Sequence, residues 1–159
     1  MALTQDEFAR RVAVLRRLKG LLQLQRERLA GYLSLLENQA EAIGSGAGEK
    51  IIAYAEMEEQ VLAGIFSVQK AIRPLEEMSL GAAPSDGAST VGEEVAALKS
   101  TLDEMKAQAR EQSAKNRGLL SARIAAIRME IKVLRESPLA KARAAYRVPA
   151  SGALLDLRG

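Results

Sequence analysis

The sequence predicts an all-α protein: an elongated antiparallel helical hairpin or three-helix, coiled-coil-like bundle with a partly ordered C-terminal tail. Three observations carry this. Ala, Leu, Glu, Lys and Arg supply more than half of the 159 residues, the composition of long helices. Aliphatic residues recur every seven positions along most of the chain, the period of a helical seam. Glycine and proline gather in short stretches between the periodic runs, where they punctuate helices.

The first helix is expected over about residues 4–43. Thr4-Gln5-Asp6-Glu7 has capping-box form, in which hydroxyl and carboxylate satisfy free amides of the first turn. Phe8, Leu15, Leu22, Leu29, Leu36 and Ile43 follow at intervals of seven. Val12, Leu18, Leu33 and Ala40 fill the seam between them. Three glycines in IGSGAGEK, Ile43 to Lys50, then end the helix and allow a reversal. That stretch is no phosphate-binding loop, which would need Gly-Lys-Ser/Thr after a strand.

The second helix is expected over 48–79. Tyr54, Val61, Val68 and Leu75 recur at seven, with Ile51, Ile65 and Ile72 alongside. Glu58 interrupts that second row. Pro74 lacks an amide and crowds the preceding turn, so a kink or an early end near Arg73 is expected. Leu80 to Gly92 is a Gly-, Ala-, Ser- and Pro-rich connector.

The third helix is expected over 91–136. Its stripe is Val95, Leu98, Leu102, Met105, Ala109, Gln112, Asn116, Leu120, Ile124, Ile127, Ile131 and Leu134. Spacings of three and four alternate until three consecutive fours from Gln112 to Ile124, a stutter that locally unwinds a supercoil. Gln112 and Asn116 put polar groups on the core line at that point. They read either as a register-setting polar layer or as a place where the bundle opens. Ser137-Pro138 resembles a new N-cap with proline in the first turn, so a short helix to about Tyr146 follows. The chain thus divides into a bundle, 1–136, and a C-terminal short helix and tail, 137–159.

Composition excludes much chemistry. There is no Cys, His or Trp, hence no conventional zinc site, disulfide or histidine base. No catalytic residue, metal or cofactor is expected, and the protein is not expected to be an enzyme. A net charge of +3 falls short of a nucleic-acid-binding stripe. No run nears the roughly 20 apolar residues of a membrane span, and no secretory signal is visible. A cytoplasmic protein without membrane insertion is therefore expected.

Helices one and three match in length, so an antiparallel pairing of one against three, with two alongside for part of the way, is expected. Where helix two runs out, Leu120, Ile124, Ile127, Ile131 and Leu134 would be covered on one side only. Each aliphatic side chain represents roughly 1.5–3 kcal/mol of burial, so the bare stripe would be covered by the tail or by a partner helix. The tail residues Leu154 and Leu155 are candidates for such contacts.

Three helical segments, a glycine-containing break near residue 45, and Asn116-x-x-Leu119-Leu120 followed about 26 residues later by Tyr146 and a Ser151-Gly152 tail together resemble the FlgN-type flagellar export chaperones. The resemblance implies a cytoplasmic chaperone of hook–filament junction (hook-associated) proteins. Such chaperones bind the amphipathic C-terminal helices of their clients, prevent early polymerisation and deliver them to the export apparatus. Carried over by position, Leu119, Leu120, Ile124, Ile127, Ile131 and Leu134 would meet the client, and Tyr146 would contact the cytoplasmic domain of the export gate.

The residues also admit a coiled-coil adaptor that self-associates through its heptads with no secretion role, and a homodimer is left open. The basic set Arg10, Arg11, Arg16, Arg17 and Lys19 reads as a solvated face or a docking patch for an acidic partner. Glu56, Glu58, Glu59, Glu76 and Glu77 make helix two acidic, which points to charge complementarity between helices.

Overall fold

A computed structural model describes residues 3–80 and 89–146. The described chain is all-α: α1 (Gln5–Ser45), α2 (Gly48–Leu80), α3 (Ser89–Glu136) and α4 (Pro138–Ala145), with no strand among the described residues. It divides into two compact units, Met1–Leu119 and Leu120–Gly159, whose boundary falls inside α3.

In the first unit α1 begins on the expected capping box. The Thr4 amide donates to Glu7 Oε2 at 3.0 Å, and the Glu7 amide donates to Thr4 Oγ1 at 3.3 Å. α1 ends at Gly46, whose φ of 70° is left-handed, a conformation that glycine adopts without a Cβ penalty. The Gly46 amide donates to Ile43 O, and Ala47 to Ala42 O. This pair of bonds is the Schellman closure of a helix end. Since α2 starts at Gly48, two residues make the whole reversal. Of the three glycines in that stretch, Gly46 does the turning; Gly44 is still helical and Gly48 already is.

The buried faces follow the heptads. Leu18, Leu22, Leu29, Leu35 and Leu36 of α1 pack with Ile65, Val68 and Ile72 of α2 and Val95, Leu102 and Ala109 of α3 in one core. Leu18 and Leu36 are fully enclosed. Phe8, the first member of the α1 series, is exposed instead. α2 passes through Pro74 and continues to Leu80, so of the kink or early end expected near Arg73 the early end does not occur.

Cross-helix contacts fix the directions. Gln25 meets Ile65 and Tyr32 meets Glu58, so rising numbers in α1 pair with falling numbers in α2. This is an antiparallel hairpin. Lys19 pairs with Glu94, while Asn116 bonds Leu36 and Gln39, so α1 and α3 run parallel. The expected antiparallel pairing of helices one and three is therefore wrong. Equal length carries no information on direction, whereas two successive reversals return the chain to its first heading.

Helix two also runs out at a different level of the first unit than expected. In an antiparallel hairpin α2 finishes beside the start of α1, far from the level of Asn116. What ends near Asn116 is the hairpin turn: α1 stops at Ser45, six residues after Gln39. α3 runs on to Glu136, twenty residues after Asn116.

Candidate partner-binding surface

Asn116 is the last buried residue of α3, and the layer it belongs to is polar; Ala42 and Ile43 of α1 are buried nearer the turn. Asn116, 3% exposed, donates from Nδ2 to Leu36 O at 2.8 Å and to Gln39 Oε1 at 3.0 Å. Gln112 Nε2 donates to Asn116 Oδ1 at 2.9 Å. Gln39 Nε2 donates to Glu58 Oε2 at 3.1 Å, and the Tyr32 hydroxyl donates to Glu58 Oε1 at 2.9 Å. One chain of hydrogen bonds thus joins α1, α2 and α3. Burial, followed by the adjacent Glu58 carboxylate, pushes the Tyr32 hydroxyl above its ordinary value of 10.0, because both disfavour phenolate. About two turns along α1 from Tyr32, Gln25 donates to Ile65 O at 3.2 Å but leaves its own Oε1 buried without a partner. Sequence reading found Asn116 and Gln112 but missed Gln25, Tyr32 and Gln39. The signal was present: these three continue the Leu18 series at intervals of seven, hidden by being polar.

The second unit has a different character. Every residue from Ser121 to Glu136 is exposed although all are helical. Leu120, Ile124, Ile127, Ile131 and Leu134 still follow the four–three spacing of a seam. Leu120 is half-buried, Ile124, Ile127 and Ile131 are 41%, 43% and 43% exposed, and Leu134 is 66% exposed. Met129 and Val133 are exposed on the remaining circumference, which the sequence reading did not single out. Leu119, in the first unit, is exposed too. It lies one residue, about 100° of helix rotation, off the line of Leu120.

α4 starts as the Ser-Pro pair predicts. Ser137 Oγ accepts from the Ala140 amide at 3.3 Å and donates to Leu134 O at 2.8 Å, with Pro138 in the first turn. The cap thus satisfies the Ala140 amide, and Pro138 brings no amide of its own to the first turn. α4 buries none of its residues, and Tyr146 at its C-terminal cap is 85% exposed. Leu154 and Leu155 lie outside the described residues.

No group of three or more acidic side chains able to hold a metal occurs among the described residues. No described helix is long and apolar enough to cross a membrane. What the second unit offers is a helical, aliphatic, solvent-facing stripe.

A family model described as FlgN protein matches residues 14–150. The chain belongs to the FlgN family. Membership gives it the general role of that family: a flagellar export chaperone that binds flagellar proteins. An uncharacterized protein of Treponema pallidum (strain Nichols) is 39% identical over 132 residues, spanning 83% of this chain and 82% of that protein. No solved structure matches the chain.

Proposed function

We propose that the protein acts in the cytoplasm as a chaperone of hook–filament junction proteins, holding their amphipathic C-terminal helices and delivering them to the export gate. Leu119, Leu120, Ile124, Ile127, Ile131 and Leu134 form the client contact. Tyr146 contacts the cytoplasmic domain of the gate, and Leu154 and Leu155 add tail contacts. Residues 1–136 serve as the three-helix bundle and 137–159 as the delivery tail.

One observation carries this reading: sixteen consecutive helical residues with no buried side chain, bearing a coiled-coil seam. Helices draw most of their stability from packing an apolar face, and a seam of a and d positions is the face another helix fills. The test is gel filtration of the intact chain mixed with a C-terminal fragment of a hook-associated protein. A complex of defined stoichiometry is expected, and Ile127→Asp with Ile131→Asp abolishes it. Absence of any shift with the parent chain refutes the reading. Deleting residues 137–159 should leave client binding intact and remove export.

A further inference from the structure

The α3 stripe has a charged edge that the client reading leaves unused. In heptad terms Ile124 and Ile131 occupy a, and Leu120, Ile127 and Leu134 occupy d. Of the three e positions that follow, Ser121, Arg128 and Arg135, two are arginine, with Lys132 next to them at b. The g positions are Arg123 and Glu130. All five charged side chains are exposed, and none is ion-paired among the described residues. From Leu120 to Tyr146 six cations face only two carboxylates, Glu130 and Glu136.

This pattern discriminates between occupants. A second copy pairing in parallel sets Arg123 against the other Arg128 and gains only at Glu130 with Arg135. Antiparallel pairing that seats Ile127 against Ile131 sets Glu130 against its own copy and Arg128 against its own copy; a one-heptad slip that satisfies Arg123 with Glu130 leaves Leu134 without an aliphatic partner. Neither sense keeps the whole seam covered and its edges satisfied. A lipid surface suits the stripe poorly, because membrane-lying helices segregate their apolar face. Here Met129 and Val133 are exposed away from a narrow a/d seam.

We propose that the occupant is a helix of another protein whose aliphatic seam is flanked by carboxylates, set against Arg128 and Arg135. The proposal rests on the client-helix reading above and specifies the client's chemistry. Edge charges in coiled coils choose partner and orientation more than they add affinity, so the two arginines act as a selectivity filter.

Two three-heptad peptides, with Ile at a and Leu at d, test this. One carries Glu at every e and g position and the other Lys, so that each repels itself. Fluorescence anisotropy with the intact chain should show the Glu peptide binding about tenfold more tightly than the Lys peptide. Raising salt from about 0.1 M to about 0.5 M should narrow that gap, because exposed charges are screened. Arg128→Glu with Arg135→Glu, both at exposed positions, should keep the far-ultraviolet circular dichroism and reverse the preference.

Equal binding of both peptides, indifferent to salt and to the double reversal yet abolished by Ile127→Asp, overturns the charge proposal and leaves the client-helix reading standing. If neither peptide binds, both fall. Binding to phosphatidylserine–phosphatidylcholine vesicles without binding either peptide overturns the proposal in favour of a lipid surface.

Discussion

Replacing Asn116 by alanine tests whether the polar layer holds the three helices in register. The substitution removes two donated bonds, to Leu36 O and Gln39 Oε1, and one accepted from Gln112. At about 1 kcal/mol net per bond the loss would approach 3 kcal/mol. Gln39 and Gln112 are half-buried, so each recovers part of its loss from water. The expected cost is about 2 kcal/mol, or a fall of roughly 4–8 °C in Tm for a chain of this size. Urea unfolding followed by circular dichroism reads it directly. Gln39→Ala and the double variant complete a cycle, in which coupling of at least about 0.5 kcal/mol is expected for groups in one network. A cost under about 0.5 kcal/mol, or strict additivity with Gln39→Ala, would refute the reasoning and reduce Asn116 to a tolerated polar residue.

Two further outcomes follow from the same geometry. Leu36→Ala, at a fully enclosed position, should cost about 3 kcal/mol, whereas Ile131→Ala should stay within about 0.5 kcal/mol in the isolated chain. Comparable costs on denaturant titration would place Ile131 in a core. Because the Tyr32 hydroxyl titrates above its ordinary 10.0 in the fold, its contribution is complete below that pH. It is lost as pH rises through the raised value. Tyr32→Phe should cost about 1 kcal/mol at neutral pH and flatten the alkaline limb of the stability–pH curve; an unchanged limb would rule Tyr32 out as its source.

Helices and caps were legible in the sequence because their causes are local. Thr4 with Glu7 and Ser137 with Pro138 act within one turn, and the leucine heptads repeat often enough to survive a stray residue. Helix direction was misread: periodicity and length do not encode it, and it follows instead from counting the two connectors, as the Lys19–Glu94 pair bears out. The core was read as aliphatic, so Gln25, Tyr32 and Gln39 escaped notice although their spacing continued the seam. For the candidate surface, the stripe from Leu120 to Leu134 could be written down from spacing. Its exposure could not, since spacing alone does not say whether another helix covers the face.

The turn at Gly46 bears on the order in which the molecule assembles. Partners on either side of a two-residue reversal are near neighbours in sequence, so the first pair of helices closes with little chain entropy to overcome. The third must arrive across some eighty residues of separation, as Leu36 with Asn116 illustrates. During synthesis the hairpin can therefore zip before α3 has left the ribosome, and the late-arriving strand of polypeptide docks onto a prepared cradle.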